Sequence, residues 1–343
     1  MSTVPSHRLV EVDTLRGLAA MAVVFFHFTT RFGELFKGYP SPYITFPTGY
    51  YGVNLFFIIS GFVIFMTLER TEKPMDFVVS RFSRLFPTYW FAIFLTLVIT
   101  HLLGLPGKLV GLDTALANMV MIHGLFNVPH VDGVYWTLEA ELLFYCGMFL
   151  LYRIKQLKNI HIALFGLLLL RVFYYVLEHK FAISLPWIVF RLMILQYIPW
   201  FALGISVYLL VNRKKAGVWR PAARTATFAI LTLLICESAS VALLAMAFAS
   251  AVFLAASGYL NVLRFGPFVW LGTISYPLYL VHENIGWAVM LSLLSMNISM
   301  DVAIVLTLVG VLLLAGCLTR WIEQPAMRWI RTRYKNKTRL RLA

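Results

Sequence analysis

Charged residues are scarce in this chain. Only 13% of its 343 residues are Asp, Glu, Lys or Arg, whereas 60% are hydrophobic and 15% are aromatic. A soluble domain of this length does not bury so large an apolar fraction. The composition therefore excludes an ordinary soluble fold and predicts an all-α polytopic helix bundle that is integral to a membrane.

Cysteine is also rare. Cys146, Cys236 and Cys317 each stand alone inside an apolar run, without a CxxC pair and without His at metal-ligand spacing. Neither a disulfide framework nor a zinc site has this pattern, so we expect no disulfide and no metal.

The sequence shows no repeat of fixed period and no low-complexity segment, and we expect the first helix to be retained as an anchor and not removed as a signal peptide. We expect residues 1–12 to be a short cytoplasmic leader and residues 1–330 to form one membrane domain. The sustained polar stretch "RTRYKNKTRLRLA", residues 331–343, is predicted to be a basic cytoplasmic tail. The net charge of +14 is assigned to contact with anionic membrane lipid and not to nucleic acid, because the basic residues cluster between apolar runs.

Long apolar runs are the dominant feature that is present. A transmembrane helix needs roughly 20 mainly apolar residues, and ten runs meet or nearly meet this length. These runs lie at about 14–33, 50–68, 86–104, 134–152, 160–178, 188–211, 223–237, 239–257, 268–295 and 302–322. A further apolar segment at about 112–126 is shorter and is flanked by Gly107, Gly111 and Pro129.

The basic residues indicate whether this short segment crosses the membrane. The positive-inside rule places their clusters on the cytoplasmic side. The clusters are Arg8 with Arg16; Arg70, Lys73, Arg81 and Arg84; Arg153, Lys155 and Lys158; Arg213, Lys214, Lys215, Arg220 and Arg224; and the tail from Arg328 to Arg341. A full crossing at 112–126 would put the third cluster outside. We therefore predict about ten transmembrane helices, a re-entrant segment near 112–126 and both termini in the cytoplasm.

The first apolar run contains two ionisable residues, Arg16 and His27, within "DTLRGLAAMAVVFFHFTTRF". At 100° per residue they return to within about 20° of one helix face, about 16 Å apart along the axis. Arg16 would lie at the cytoplasmic mouth of an internal channel and His27 past the middle of the membrane. An equally open interpretation is that Arg16 only extends to the lipid headgroups as a basic residue flanking the span. For His27 we favour a functional role, because ionisable residues inside a membrane usually face the bundle interior and mark functional sites.

Further polar residues fall inside the predicted spans. A His beside a carboxylate is the minimum equipment of a general base, and a transporter would use the same groups as a proton relay. These residues are Asn54, Ser60, Glu139, Glu141, Arg171, Arg191, Glu237, His282 and Glu283.

At the predicted cytoplasmic end, "SRFSRLFP" puts Arg81 and Arg84 three residues apart, on one helix face. Such a pair can hold phosphates through forked hydrogen bonds, although contact with lipid headgroups is the common alternative.

Together these segments resemble the acyltransferase-3 family of integral membrane acyltransferases, from about residue 9 to residue 330. "LRGLAAMAVVFFH" carries the family's first-helix Arg and His, and "RFSRLFPTYW" its Arg-x-x-Arg block. The remaining blocks are "GVNLFFIISGF", "YWTLEAELLFY", "ISYPLYLVH" and "IEQP". Six blocks in the right order over the right length are highly specific.

The resemblance implies an enzyme that moves an acyl group, most often acetyl, from acetyl-CoA or another acyl-CoA to a hydroxyl of an extracytoplasmic or lipid-linked carbohydrate. It implies His27 as the catalytic residue, and Arg16, Arg81 and Arg84 as donor-binding or architectural residues. Direct attack of the acceptor hydroxyl with His27 as general base and a covalent acyl-His intermediate are both open. The further matched or neighbouring residues, expected to support substrate or structure, are Ser60, Trp136, Tyr276, His282, Glu283 and Glu323.

The sequence departs from the family pattern at Asn54, where an acid or His is frequent. We therefore expect Glu141 first and Asn54 second as the partner of His27. We also expect a form without the hydrolase-like outer domain of some members, so the aromatic outer loop at 33–52 could contact sugar or belong to an interfacial aromatic belt.

The expected partners are acyl-CoA, membrane lipid and a polysaccharide, lipopolysaccharide or lipid-linked sugar, in a bacterial inner (plasma) membrane. The alternative function is a transporter or flippase of a glycolipid or acylated substrate.

Overall fold

A computed structural model describes residues 9–183, 185–212 and 219–340 of the chain. The described residues are mostly helical and contain no strand, so the all-α prediction is confirmed. Their α-helices are α1 Val10–Phe25, α2 Phe32–Leu35, α3 Gly52–Glu69, α4 Pro74–Leu103, α5 Leu112–Asn118, α6 Tyr135–Arg153, α7 Ile160–Phe181, α8 Trp187–Leu192, α9 Ile198–Val211, α10 Trp219–Cys236, α11 Ala239–Ala256, α12 Gly266–Val281, α13 Glu283–Ser295, α14 Met300–Leu318 and α15 Gln324–Leu340.

Six helical stretches of the described chain are long and apolar enough to cross a membrane. Each coincides with one of the ten predicted spans, so the protein is an integral membrane protein. The stretches are Val10–Leu35, Pro47–Glu69, Pro74–Leu103, Leu157–Phe181, Ala239–Ala256 and Met300–Lys337.

The four other predicted spans fall on α6, on α8 with α9, on α10 and on α12 with α13. The predicted spans at 188–211 and 268–295 are continuous apolar runs in the sequence, but each is divided into two helices in the structure. Ile194 has a positive φ between α8 and α9, and α12 stops one residue before α13 begins. The 14-residue α9 is only about 21 Å long, below the hydrocarbon thickness of about 30 Å. Membrane crossing by these four segments stays a prediction.

The segment at 112–126 forms only the seven-residue α5 and a short 3₁₀ turn, His123–Phe126. Neither element is long enough to cross a membrane. The buried amide of Asn118 donates to the carbonyls of Thr114 and Pro129 and accepts from the Val131 N–H. The Asn118 side chain thus connects α5 to the backbone of Pro129 and Val131. The re-entrant placement of the segment stays a prediction.

The described chain divides into two compact units. The first contains the residues up to Arg16, Val53–Arg70 and Ala140–Gly272. In it, α9 packs against α10 and α11, and α10 packs against α7. Gly204 of α9 lies so close to the carbonyl of Ile58 in α3 that a Cβ atom would overlap it.

The second unit contains Gly17–Gly52, Thr71–Glu139 and the described residues from Thr273 onward. Its central helix is α4, which packs against α13 and α15, and α13 also contacts α14. A π-helical turn, Phe26–Arg31, follows α1 and packs against α13. A second π-helical turn, Thr319–Glu323, joins α14 to α15 and packs against α4.

Residues 331–340 of the predicted tail belong to α15, which begins at Gln324. The predicted domain boundary at residue 330 stays a prediction. The basic residues Arg8, Arg213, Lys214, Lys215 and Arg341 lie outside the described residues, as does most of the predicted leader.

We predict that Gly204→Ala destabilises the folded protein by about 1–3 kcal/mol, since the added methyl group overpacks the contact between α3 and α9. The matched control is Gly147→Ala in α6, where nothing lies within 4 Å of the added Cβ. Each variant is heated in detergent, and the fraction that still elutes as a single species in gel filtration is measured as a function of temperature. Equal unfolding temperatures of the two variants would contradict the close packing at Gly204.

Candidate active site

The π-helical turn Phe26–Arg31 carries His27 in the second unit. The His27 carbonyl accepts the N–H of Phe32, five residues later, which defines the π turn. It also accepts the indole N–H of the fully buried Trp287 at 3.0 Å. Single π turns in α-helices occur frequently at functional sites. The backbone of His27 is therefore held from both its own helix and α13.

The His27 ring contacts two ionisable residues at the junction of α12 and α13. Its Nδ1 lies 3.0 Å from the Nε2 of His282 and 3.0 Å from the Val23 carbonyl oxygen. Its Nε2 lies 3.5 Å from the Oε2 of Glu283. The side chain of His27 is 13% exposed and that of Glu283 is 6% exposed. Both side chains are therefore largely shielded from solvent, and the imidazole is the more accessible of the two.

The hydrogen-bond partners indicate the tautomer of His27. The Nδ1 of His282 faces the carbonyl oxygens of Tyr279 and Leu278, which only accept, so this nitrogen carries hydrogen. The Nε2 of His282 then accepts from Nδ1–H of His27, which also faces the Val23 carbonyl. In neutral His27 the lone pair is left on Nε2, beside Glu283. This is the arrangement of a base with a carboxylate that stabilises its imidazolium form.

The loop before α6 positions Glu283. Asp132 is fully buried and accepts the backbone N–H groups of Val134 and Asn284. Burial raises the pKa of Asp132 to about 7, in spite of these hydrogen bonds. The neighbouring Gly133 leaves the space that the Glu283 carboxylate occupies, because a Cβ atom there would overlap it. Asp132 and Gly133 thus fix the start of α13.

Lys108 adds a positive charge near this group. Its Nζ lies 5.6 Å from the centroid of the Trp287 ring, and the same ring meets the His27 ring edge-on. The Lys108 ammonium group therefore lies over the ring of Trp287, whose indole N–H bonds to the His27 carbonyl.

A second polar cluster lies where α4 meets the second π turn. The Nη1 of Arg84 lies 2.9 Å from the Oε1 of Glu323, which is 1% exposed. The Arg84 guanidinium lies over the ring of Tyr276, whose hydroxyl donates to the Leu85 carbonyl at 2.8 Å. One face of the Arg84 guanidinium therefore packs against the Tyr276 ring, and one of its nitrogens pairs with Glu323.

Arg81 lies one turn earlier in α4 and is half-buried. Its Nη2 donates to the Ser80 hydroxyl at 3.2 Å, and its guanidinium lies over the ring of Phe77. Arg81 and Arg84 are thus brought to one end of the same helix, as their spacing predicts.

The remaining predicted residues lie elsewhere. Glu141 accepts from the hydroxyls of Ser60 and Tyr145 in the first unit. Arg16 and Asn54, also in the first unit, are half-buried in α1 and α3, and Trp136 is partly exposed at the start of α6. Among the described residues, the ionisable side chains shown in contact with the His27 ring are those of His282 and Glu283, whereas the sequence ranked Glu141 and Asn54 first. The catalytic assignment of Glu141 and Asn54 stays a prediction.

Sequence reasoning did not single out Asp132, Asn284, Trp287 or Lys108. Asp132 lies three residues before the "YWTLEAELLFY" block, and Asn284 and Trp287 closely follow His282. Their closeness to these motifs in the sequence was the signal that could have indicated them. Lys108 stands in a loop between Gly107 and Leu109 and has no motif of its own.

Comparison with known proteins agrees with the earlier resemblance. The chain is 34% identical over 108 residues to the exopolysaccharide production protein ExoZ of Rhizobium meliloti (strain 1021), which covers 29% of this chain and 33% of that protein. It is 31% identical over 141 residues to protein 2 in the picA locus of Rhizobium radiobacter, 38% of this chain and 69% of that protein. It is 27% identical over 158 residues to the acyltransferase MdmB of Streptomyces mycarofaciens, 43% of this chain and 40% of that protein.

The matches thus cover about a third of ExoZ and two fifths of MdmB. No solved structure matches the chain significantly. The family model described as "Acyltransferase domain" matches residues 9–321. That match spans nearly all of the chain, which therefore belongs to the acyltransferase-3 family of membrane acyltransferases.

Proposed function

We propose that this protein transfers an acyl group, acetyl being the family's usual one, from acyl-CoA to a hydroxyl of an extracytoplasmic or lipid-linked carbohydrate. The observation that carries the proposal is the His27 ring, whose Nδ1 is engaged by His282 and Val23 while its Nε2 faces Glu283. Such a ring is oriented to accept a proton at Nε2 and to be stabilised when charged.

In the proposed reaction the acceptor hydroxyl approaches Nε2 of His27. As its oxygen attacks the thioester carbonyl carbon, the hydroxyl proton passes to Nε2 and the imidazolium is stabilised by Glu283. The C–S bond then breaks, and the departing thiolate takes the proton from His27. Free CoA and the ester are the products, and His27 returns to its neutral form.

The two clusters of the second unit support separate roles for donor and base. Tyr276, which underlies Arg84, and His282, which contacts His27, are six residues apart, about 9 Å along a helix axis. In our proposal the arginines hold the phosphates of the donor, while its extended thiol arm reaches towards His27.

The acceptor class is supported by two observations. The relative ExoZ is named for exopolysaccharide production. In addition, the aromatic loop at 33–52 exposes large side chains, of which Tyr43 is 95% exposed. Exposed aromatic rings suit stacking against sugar. We place the protein in a bacterial inner membrane, with the arginine cluster on the cytoplasmic side where acyl-CoA is available.

We predict that His27→Ala lowers acyl transfer by about a hundredfold or more, because the general base is removed. Membranes with equal amounts of each variant are incubated with labelled acetyl-CoA, and label on glycans and release of free CoA are measured. The matched control is His101→Ala, since His101 is exposed near the end of α4. Equal transfer by His27→Ala and the native protein would disprove the role of His27.

We predict that Glu283→Gln lowers kcat by about ten- to a hundredfold with little change in the KM for acyl-CoA, since the imidazolium loses its neighbouring carboxylate. Glu178→Gln, at an exposed position near the end of α7, controls for loss of a carboxylate. Glu141→Gln is measured alongside, at matched abundance. Full activity of Glu283→Gln together with an inactive Glu141→Gln would move the role to Glu141.

A further inference from the structure

A third arginine joins Arg81 and Arg84 at the end of α4. Arg331, on α15, is half-buried and donates from Nε to the Ser83 hydroxyl at 3.0 Å. Its Nη2 donates to the Ser80 carbonyl at 3.3 Å. Both bonds are to the turn 80–83 of α4, which contains Arg81 and directly precedes Arg84, so this turn orients the guanidinium of Arg331.

The three guanidinium groups form a cluster of one sign. The charges of Arg81 and Arg84 both act on Arg331, and Arg84 forms an ion pair with Glu323. Asp76, at the start of the same helix, accepts from the exposed hydroxyl of Tyr334. Three half-buried positive charges at one helix end repel one another, and binding of an anion with more than one charge would reduce this repulsion.

The donor geometry favours a phosphate group as that anion. Guanidinium groups present planar pairs of N–H donors that match phosphate oxygens, and Ser83 fixes the plane of Arg331 through Nε. Phosphate can come from the acyl donor or from a lipid headgroup. A donor is favoured because Arg84 lies over Tyr276, on the helix that leads to His282 and the His27 ring.

We propose that Arg331 is the third member, with Arg81 and Arg84, of a site that binds the phosphate groups of the acyl-CoA donor. This inference rests on the proposed function for the identity of the donor. Arg331 contributes affinity for the phosphates, and it makes no contribution to binding of the thiol arm.

The test is direct binding to the full-length protein in nanodiscs of zwitterionic lipid. Affinity for CoA is compared with affinity for pantetheine, which has the same thiol arm and no phosphate. Arg331→Gln is expected to weaken CoA binding by about tenfold, the size of one charge-assisted hydrogen bond, and to leave pantetheine binding unchanged. Arg331→Lys, which keeps the charge and loses the fork, is expected to give a smaller loss.

The matched control is Arg333→Gln, which removes the same charge from an exposed position two residues away, over the Trp329 ring. Unchanged CoA affinity in Arg331→Gln, or an equal loss in Arg333→Gln, overturns the proposal. An effect that appears only with anionic lipid in the nanodisc identifies a headgroup site and also overturns it. CoA binding that depends on Arg331, without any acyl transfer by the native protein, would instead refute the proposed function.

Discussion

The placement of an imidazole beside a carboxylate in an apolar helical chain is the constraint around which the second unit is organised. A chargeable group in such surroundings is costly unless each of its polar atoms has a partner. His27 meets this requirement through Val23, His282 and Glu283. Glu283 in turn depends on Gly133 for space, and on a loop whose buried Asp132 holds the first turn of α13. The position of Glu283 beside His27 is therefore held by Asp132 and Gly133, which do not contact the His27 ring in the contacts described.

Two π-helical turns bring the ionisable residues to their partners. The turn Phe26–Arg31 contains His27, and the turn Thr319–Glu323 contains Glu323, the partner of Arg84. A π turn inserts one extra residue per turn, which rotates the side chains that follow it relative to a regular helix. In both places the turn packs against a helix that supplies the partner, α13 in one case and α4 in the other. Tertiary contacts thus support a local geometry that a helical ladder alone disfavours.

Two groups of ionisable side chains in the second unit differ in composition. One contains His27, His282 and Glu283, and the other contains Glu323 with the guanidinium groups of Arg81, Arg84 and Arg331. The end of α12 connects them, since Tyr276 in α12 contacts the second group and His282, six positions later and just after α12, contacts His27. A donor with a charged head and a long neutral arm is complementary to this division. In the function proposed for this protein, the guanidinium groups bind the charged head of the donor and His27 takes part in the chemical step.

The sequence by itself determined the membrane class, the helical fold and six of the long spans, because apolar runs of this length have few alternatives to a transmembrane helix. It also indicated the family, and it placed Arg81 and Arg84 at one end of a helix, because motif spacing along a helix is a local property. The roles of His27, Arg81 and Arg84 stay predictions. The sequence did not reveal that the run at 268–295 divides at His282, that His27 lies in a π turn, or that Arg331 joins α4. Those features arise from contacts between residues about 150 to 260 positions apart, such as Asp132 with Asn284 and His27 with His282. Only the tertiary structure decided them, because a hydrogen bond between distant residues leaves no periodic signal in the chain.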